Sequence, residues 1–402
     1  MAEPRWNDRS PWSVFLVFLR LGLTSFGGPV AHLGYFRDEF VVRRRWLGER
    51  DYADLVALCQ FLPGPASSQV GIGVGLSRCG LPGALAAWAG FTLPSALLLI
   101  LLALGLARDH SLLATGALHG LKVAAVAVVA QAVWGMARNF CTDLPRITIM
   151  VLAACIALFV PHAGGQAAII VIAGLAGLAL FTPEPGAARD SLAFPVGRRA
   201  GLACLLAFFI LLLGLPLLAS WFPGRALAMI DAFYRVGSLV FGGGHVVLPL
   251  LQAEVVAPGW VGEDAFLAGY GAAQAVPGPL FTFAAFLGAS STSAPTGWLG
   301  AGIALAAIFL PSFLLVAGVL PLWERLRSNA RMRAAMEGVN AAVVGLLLAA
   351  LYQPVWTGAI GSSRDFALAL VAIVALMSWK LPPWLVVASC AALGWLLGLG
   401  GY

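Results

Sequence analysis

Charged residues are scarce in this chain of 402 residues. Only 10% of them are Asp, Glu, Lys or Arg, whereas an ordinary soluble domain carries about 25%. Hydrophobic residues make up 60% of the chain, and the mean hydropathy is +0.91. This composition excludes an ordinary soluble fold and predicts a polytopic membrane protein with the lipid bilayer as its surrounding medium.

Clusters of metal-binding or nucleophilic residues are also lacking. The six cysteines form no Cys-x-x-Cys pair, and the five histidines are dispersed without ligand spacing. We therefore interpret the cysteines as small apolar packing residues. A Walker-type phosphate loop and a basic nucleic-acid-binding module are absent as well. The sequence thus predicts no metal, no cofactor, no nucleic-acid partner and no enzymatic activity.

Long apolar runs make up most of the chain. Many reach the ~17–25 residues that a spanning helix needs. Examples are residues 81–106, 112–133, 200–220 and 298–320. The runs are too continuous for the alternation of a membrane β-barrel. The predicted fold class is therefore all-α.

The chain repeats its own motifs at an offset of 214–218 residues. The repeated motifs are Phe-x-Arg-x-Gly (18–22 and 233–237), Phe-Gly-Gly (26–28 and 241–243), Gln-x-x-Pro-Gly-Pro (60–65 and 274–279) and Leu-Pro-Ser (93–95 and 310–312). Duplicated apolar segments that glycine and proline interrupt point to a secondary transporter of two halves, with its site between them.

The motifs also set the predicted domain boundaries. A first repeat occupies residues 1–181, and a second occupies residues 225–402; we call them the first and second halves. Between them, residues 182–224 form a proline-containing linker and an extra spanning helix that has no counterpart. Each half is expected to hold about six membrane elements, some of them broken or re-entrant.

Charges in matched loops predict that the two repeats are inverted. Segment 37–51 is strongly basic, whereas its counterpart 252–264 is acidic. Segment 108–110 is nearly neutral, whereas its counterpart, residues 325–333, holds four arginines. Basic loops mark the cytoplasmic side, so opposite bias at matched loops is typical of inverted repeats. The number and orientation of the spanning helices stay open.

The glycine and proline motifs break helices at membrane depth. Irregular backbone is tolerated there only where it lines a cavity or is buried in protein. A broken helix exposes free N–H groups at its new N-terminus, which attract anions. The alternative is that the breaks are packing kinks. The predicted substrate-binding backbone comprises Gly27, Gly28, Pro29, Pro63, Gly64 and Pro65, with the counterparts Gly242, Gly243, Pro277, Gly278 and Pro279.

Polar side chains at matched positions extend this predicted site. Arg20 and Arg235 lie inside apolar runs, where a charge costs roughly 2.5–3.5 kcal/mol on insertion scales. We expect both to bind an oxyanion through forked N–H donors; the alternative for Arg235 is an ion pair with Asp231, one turn earlier. The further candidates for substrate binding are Gln60, Gln274, Lys122 and Asn340. The alternatives are that the two glutamines only cap freed backbone groups and that Lys122 snorkels to the membrane interface.

Two matched titratable residues, His119 and Glu337, are candidates for coupling proton movement to transport. The alternative is that both lie at solvated helix ends. In that case Glu337 could pair with Arg333, one helical turn earlier.

Together these motifs resemble the chromate ion transporter family in its long, two-domain bacterial form. The resemblance covers nearly the whole chain except the linker and the extra helix. The motifs at 25–29 and 60–65 are its most specific part. The second half departs from the first at Gly244, where proline is missing, and at the following His245. The two halves are therefore chemically unequal.

The resemblance implies efflux of the chromate oxyanion across the bacterial inner membrane, by a multi-pass secondary carrier coupled to the proton-motive force. Chromate resistance would follow. Sulfate, a tetrahedral dianion of similar shape, is the expected competitor. The alternatives are a carrier of sulfate or another tetrahedral oxyanion, and a passive anion channel. The coupling ion, its stoichiometry and the formation of a homodimer stay open.

Overall fold

The computed structural model describes residues 10–108, 115–160, 162–182, 196–323, 326 and 329–397. These residues form helices joined by short connections, and none of them forms a β-strand. The all-α prediction is therefore confirmed. Residues 183–195 of the expected linker, and the loop positions 109–110, 325 and 327, lie outside the described residues.

The first half begins with a short helix, a break and a further run of helices. Its helices are α1 (Pro11–Thr24), α2 (Gly28–Arg37), α3 (Glu49–Phe61), α4 (Ala66–Arg108), α5 (Thr115–Phe140), α6 (Leu144–Phe159) and α7 (Ala163–Leu180). α4 contains a kink at Cys79 and Gly80, which have non-helical backbone angles. α4 therefore joins residues 66–78 and the apolar run 81–106 in one kinked element.

The second half follows the same order after one intervening helix. That helix is α8 (Arg198–Trp221), and the second half contains α9 (Arg225–Leu239), α10 (Val247–Leu251), α11 (Glu263–Ala275), α12 (Phe283–Ala289), α13 (Gly297–Val319), α14 (Ala330–Ala350), α15 (Ser363–Met377) and α16 (Pro383–Leu396). Five described stretches are long and apolar enough to cross a membrane: Ala66–Ala107, Thr115–Phe140, Arg198–Trp221, Gly297–Leu322 and Ala330–Ala359. A multi-pass membrane protein is the architecture that they support.

The basic segment 37–51 spans the end of one helix and the start of the next. α2 continues through a π-helical turn, Asp38–Arg43, and α3 then begins at Glu49. The Glu39 carboxylate accepts hydrogen bonds from Arg43 (3.0 Å) and Arg44 (2.6 Å). These charge-assisted bonds hold the wide turn closed.

Glycines place the helix breaks where the motifs predict them. Gly27 and Gly28 have φ angles of 100° and 77°, and Gly242 and Gly243 have φ angles of 77° and 141°. A side chain strongly disfavours this left-handed region of backbone space. α1 and α9 therefore end just before these glycines.

Each half contributes its long central helix to the other half. α5 packs against α15 and α16 of the second half, and α14 packs against α6 and α7 of the first. The approach is closest at two matched glycines: Gly120 meets the Cys390 carbonyl, and Gly338 meets the Ala173 carbonyl. Neither position has room for a Cβ atom, so glycine permits the two helix backbones to touch.

α8 lies at the edge of the helical assembly, where it packs on α9 and α13. Its outer face exposes Leu206, Phe209, Leu213 and Leu217. An exposed face of large apolar side chains is suited to contact with lipid acyl chains. The extra helix therefore has the surface expected of a lipid-facing element.

Replacing Gly120 with alanine is expected to destabilise the protein by about 1–3 kcal/mol, because the new methyl group meets rigid backbone. Gly135→Ala on the same helix is the matched control, since nothing lies within 4 Å of a Cβ atom there. That control should be neutral or stabilising by up to ~1 kcal/mol, the gain in helix propensity. Unfolding of purified protein by SDS titration in mixed micelles measures both. Equal effects would contradict the close approach of α5 and α16.

Candidate functional site

One backbone hydrogen bond joins each Pro-Gly-Pro turn to the helix break of the other half. The Gly64 amide donates to the Val240 carbonyl oxygen (N···O 2.6 Å), and the Gly278 amide donates to the Ser25 carbonyl oxygen (N···O 3.0 Å). Ser25 and Val240 lie where α1 and α9 stop, so their carbonyls need donors from outside the helix. The turns supply those donors across the boundary between the halves.

The serines of the two Leu-Pro-Ser motifs lie against the same turns. A Cβ atom on Gly64 would lie 2.9 Å from Oγ of Ser312, and one on Gly278 would lie 2.9 Å from Oγ of Ser95. Both glycines also have left-handed φ angles, 122° and 102°. The sequence analysis found these serines as a repeated motif but assigned them no role. In the structure each serine packs against the turn of the opposite half.

A cavity of about 1110 Å³ lies where both helix breaks meet the Pro-Gly-Pro turn of the first half. Backbone from Gly27, Gly64 and Gly242–Gly244 forms part of its wall. Its polar side chains include Tyr35, Gln60, Gln131, Asn139, His245, Asn340 and Lys380. Lys380 is the only fixed charge among the described lining residues, and no described carboxylate lines the cavity. The rest of the lining is mostly apolar, and the single fixed positive charge favours an anion over a cation.

A smaller pocket of about 70 Å³ adjoins the cavity. Residues that line both are Gly27, Pro29, Gln131, His245 and Pro383. Gly28, Gln274 and Gly278 also line the small pocket. The volume exceeds the about 10–15 Å³ that one water molecule needs, so the pocket has room for a small polar ligand.

Two predicted binding residues present unpaired polar atoms in this region. Nε2 of Gln274 and Oδ1 of Asn340 are buried and have no hydrogen-bond partner among the described residues. Gln274 lines the small pocket, and Asn340 lines the large one. A buried polar atom without a partner costs about 1–3 kcal/mol. A ligand or water that pairs with these atoms is therefore stabilised here.

α2 begins at the edge of the cavity. Its N-terminal capping residue, Gly27, makes no side-chain hydrogen bond to the first turn. The N–H groups of a first helical turn have no acceptor within the helix, and the helix dipole adds partial positive charge there. Ala31 of this turn lines the cavity together with Gly27. The expected anion-attracting helix end is thus located at the cavity wall.

One face of α5 forms another wall of the cavity. Gln131, Gly135 and Asn139 are four residues apart and all line it, as residues on one helical face do. The sequence analysis missed the amides Gln131 and Asn139. Their spacing within an otherwise apolar helix was the signal that could have found them.

The structure does not bring Arg20 to this cavity. α1 buries Val14, Phe18 and Leu21 on one face, whereas Arg20 is exposed. Its guanidinium has no ion-pair partner among the described residues, and it is not among the lining residues of the cavity. A helix repeats every 3.6 residues, so one residue of difference separates the buried side from the exposed side.

Arg235 lies in a separate cavity of about 450 Å³. Its guanidinium donates from Nη2 to Asp231 (Nη2···Oδ2 2.6 Å) and to Glu254 (Nη2···Oε2 3.3 Å), and Nε lies 3.0 Å from Oε1 of Glu254. The alternative of an ion pair with Asp231 is therefore confirmed, and Glu254 adds a second carboxylate. Because two carboxylates lie beside one guanidinium, the cluster carries no excess positive charge that would attract a free anion.

Lys122 and His119 also contact carboxylates rather than line the cavity. Nζ of Lys122 lies 2.8 Å from Oδ1 of Asp264, and Nε2 of His119 lies 2.8 Å from Oδ1 of Asp365. Both pairs join α5 to helices of the second half. The structure therefore places these two predicted residues in contacts between the halves.

Glu337, the counterpart of His119, also contacts the opposite half, but here the carboxylate belongs to the second half and the cation to the first. Its carboxylate accepts a hydrogen bond from Arg146 at the start of α6 (2.5 Å). The partner is thus Arg146 of the first half, and not Arg333. His119 thus joins α5 to α15, and Glu337 joins α14 to α6.

The prolines of the two turns do not line the cavity. Pro63, Pro65, Pro277 and Pro279 are absent from its described wall. The Pro63 carbonyl accepts a hydrogen bond from Nε2 of Gln69 (2.6 Å), which braces the turn. These prolines therefore shape the turns, and the neighbouring glycines present backbone to the cavity.

Comparison with known proteins follows the division into two halves. A family model described as Chromate transporter matches residues 12–178 and 227–395, one match in each half. The chromate transport protein of Pseudomonas aeruginosa is 28% identical over 345 residues, which are 83% of this chain and 78% of that protein. The chromate transport protein of Cupriavidus metallidurans is 27% identical over 389 residues, 94% and 91% of the two chains.

A shorter relative matches a single half. The uncharacterized transporter YwrA of Bacillus subtilis is 30% identical over 163 residues, which are 39% of this chain and 89% of that protein. That chain is about as long as one half, which agrees with the double family match. No solved structure matches this chain.

The structure predicts that Gly278 tolerates alanine less well than a glycine with similar backbone strain. Gly278→Ala adds the cost of a left-handed side chain, roughly 1–2 kcal/mol, to a close contact with Ser95. Gly259→Ala is the control, because Gly259 has a φ of 74° but nothing within 4 Å of its Cβ position. SDS-induced unfolding should show the larger loss for Gly278→Ala. The same loss in both variants would mean that packing of the turn contributes nothing.

Proposed function

Because the chain belongs to the chromate transporter family, we propose that it exports chromate across the bacterial inner membrane. The observation that carries this proposal is the cavity between the halves, whose described lining has amides, a helix N-terminus and one lysine but no carboxylate. The relatives named as chromate transport proteins support the choice of chromate.

The cavity has the groups that a tetrahedral dianion requires. Lys380 supplies a positive charge, the first turn of α2 supplies free N–H groups, and Gln60 and Gln274 supply amide donors. Lys380, the start of α2 and Gln60 line the cavity itself, and Gln274 lines the small pocket that adjoins it. Binding by neutral donors with a single cation is strong enough to select an anion and weak enough to release it.

The proton-motive force drives the proposed export through its electrical component. A membrane potential that is negative inside favours outward movement of negative charge by roughly 2.3 kcal/mol per charge per 100 mV. The electrical energy of a dianion therefore falls when it leaves the cytoplasm. This electrical drive can export chromate against a concentration gradient without ATP.

Alternating access is proposed to come from movement between two inverted repeats around the cavity. The opposite charges of the matched loops support the inversion. So do the reciprocal hydrogen bonds, in which each turn binds the break of the other half. A rearrangement that breaks one of these bonds and keeps its counterpart would open the cavity on one side.

Everted membrane vesicles containing the protein are expected to accumulate labelled chromate against a gradient. Accumulation should collapse when an uncoupler removes the membrane potential, because the potential supplies the drive. Excess sulfate should reduce the rate by competition, as a dianion of the same shape. Vesicles without the protein are the control. Because the potential would also drive accumulation through a passive channel, a rate that rises linearly with chromate concentration, without saturation or competition by sulfate, would instead identify a channel.

Lys380→Gln should raise the KM for chromate about tenfold or more, equivalent to ~1.4 kcal/mol of binding free energy. The reason is that Lys380 is the only fixed charge on the described cavity lining. Arg20→Gln is the matched control, a lost cation outside the cavity, and should leave KM close to that of the wild type. Uptake of labelled chromate into everted vesicles measures both, normalised to protein in the membrane. The reverse order would place the anion site at Arg20.

A further inference from the structure

His245 has no role in the site described so far, yet it lines both the cavity and the adjoining small pocket. Its Nδ1 lies 3.0 Å from the hydroxyl oxygen of Tyr270, a fully buried residue of α11. Histidine is the residue type whose charge changes near neutral pH. Its position at the meeting point of the two cavities therefore adds a titratable group to the proposed anion site.

The pair of His245 and Tyr270 is present in only one half. At the offsets of 215 and 214 residues that relate the halves, the first half has Val30 and Val56. The framework of breaks, turns and glycine contacts is duplicated without this pair. A polar pair that the duplicated framework does not need points to a role in the chemistry of the cavity.

The other titratable groups near His245 do not change charge near neutral pH. On the described cavity wall they are Tyr35, Cys59 and Lys380, residue types that keep one charge state near neutral pH. From α14, which packs against the 244–246 turn, Asn340 reaches the cavity, while Glu337 is held by Arg146. The Leu280–Thr282 turn contributes Leu280, and α5 contributes the neutral Gln131.

Protonation of His245 and anion binding are linked because a bound dianion adds more negative charge than the cavity lining neutralises. A dianion brings two negative charges, whereas the described lining offers one fixed positive charge. A buried imidazolium is costly unless an anion lies beside it. Binding of the proton and binding of the oxyanion therefore favour each other, and by linkage each raises the affinity of the other by the same factor.

We propose that His245 binds a proton together with the transported oxyanion, and that Tyr270 positions its ring. In this arrangement Nδ1–H donates to the Tyr270 hydroxyl oxygen, and Nε2 gains the proton on one side of the membrane and releases it on the other. This inference rests on the proposed function of the cavity. One proton moves outward with each dianion, so the carrier transfers one net negative charge. The membrane potential drives that step, and the pH gradient opposes it.

The first test measures binding of labelled chromate to purified protein by equilibrium dialysis at pH 6 and pH 8. Comparison with His245→Gln removes the effect of chromate's own protonation, which is the same for both proteins. The affinity of the wild type relative to this variant should rise roughly 5–150-fold on going to pH 6. His162→Asn, a histidine change at the exposed N-terminus of α7, should behave as the wild type does.

Tyr270→Phe serves as a second variant because it keeps the histidine and the shape of the pocket. It should bind chromate but shift the pH at which affinity changes, since Nδ1 loses its partner. An unshifted pH profile would remove Tyr270 from the proposal. A ratio of wild-type to His245→Gln affinity that is the same at both pH values would overturn the role of His245.

The second test measures proton movement in everted vesicles with equal pH on both sides and an imposed potential. Chromate uptake by the wild type should carry about one proton per chromate into the lumen, and His245→Gln should lose that proton flux. Proton release from the lumen would overturn the inference while chromate accumulation still supported the proposed function. Absence of both binding and uptake in the wild type would overturn the proposed function itself.

Discussion

The two hydrogen bonds from Gly64 to Val240 and from Gly278 to Ser25 set the conditions for the rest of the site. A backbone carbonyl that loses its helical donor in an apolar environment costs several kcal/mol unless another donor replaces water. Here the donor comes from the other half in both cases. Each helix break is therefore stabilised by the opposite Pro-Gly-Pro turn, and the Ser25 carbonyl also contacts Nε2 of His32 (3.2 Å). The cavity lies beside both breaks and the first turn, and the second turn lines the adjoining small pocket. The positions of both follow from the bonding of the backbone rather than from any single side chain.

Charge is distributed in two different ways within this framework. Arg235 is held by two carboxylates, and Lys122, His119 and Glu337 each have a partner in the opposite half. At Arg235 the pairing neutralises charge in a partly buried site, where an isolated ion is costly. The described wall of the cavity has amides, backbone N–H groups and Lys380 instead. The separation leaves Lys380 as the only fixed charge on the described cavity wall.

The sequence motifs predicted the helix breaks correctly, because left-handed φ angles at Gly27 and Gly242 require glycine whatever the surrounding structure. They also located Gln274 and Asn340, which lie at the cavity with unpaired polar atoms. The motifs did not predict the environment of the two arginines. Arg20 and Arg235 occupy matched positions, yet one is exposed and the other is paired, because Asp231 has no counterpart in the first half. Repetition in sequence therefore located the shared backbone and did not determine the environment of the side chains.

Composition, apolar run length and duplicated motifs were sufficient to determine an all-α membrane protein of two related halves with interrupted helices, since these properties depend on local hydrophobicity and backbone conformation. Only the tertiary structure decided which polar groups share a space. Residues more than 100 positions apart, such as Gln131, His245 and Lys380, meet at the cavity because α5 and α14 cross into the opposite halves. No local pattern encodes that exchange. It depends on which helix backbones can approach closely, and so on glycines such as Gly120 and Gly338 that leave room for another chain segment.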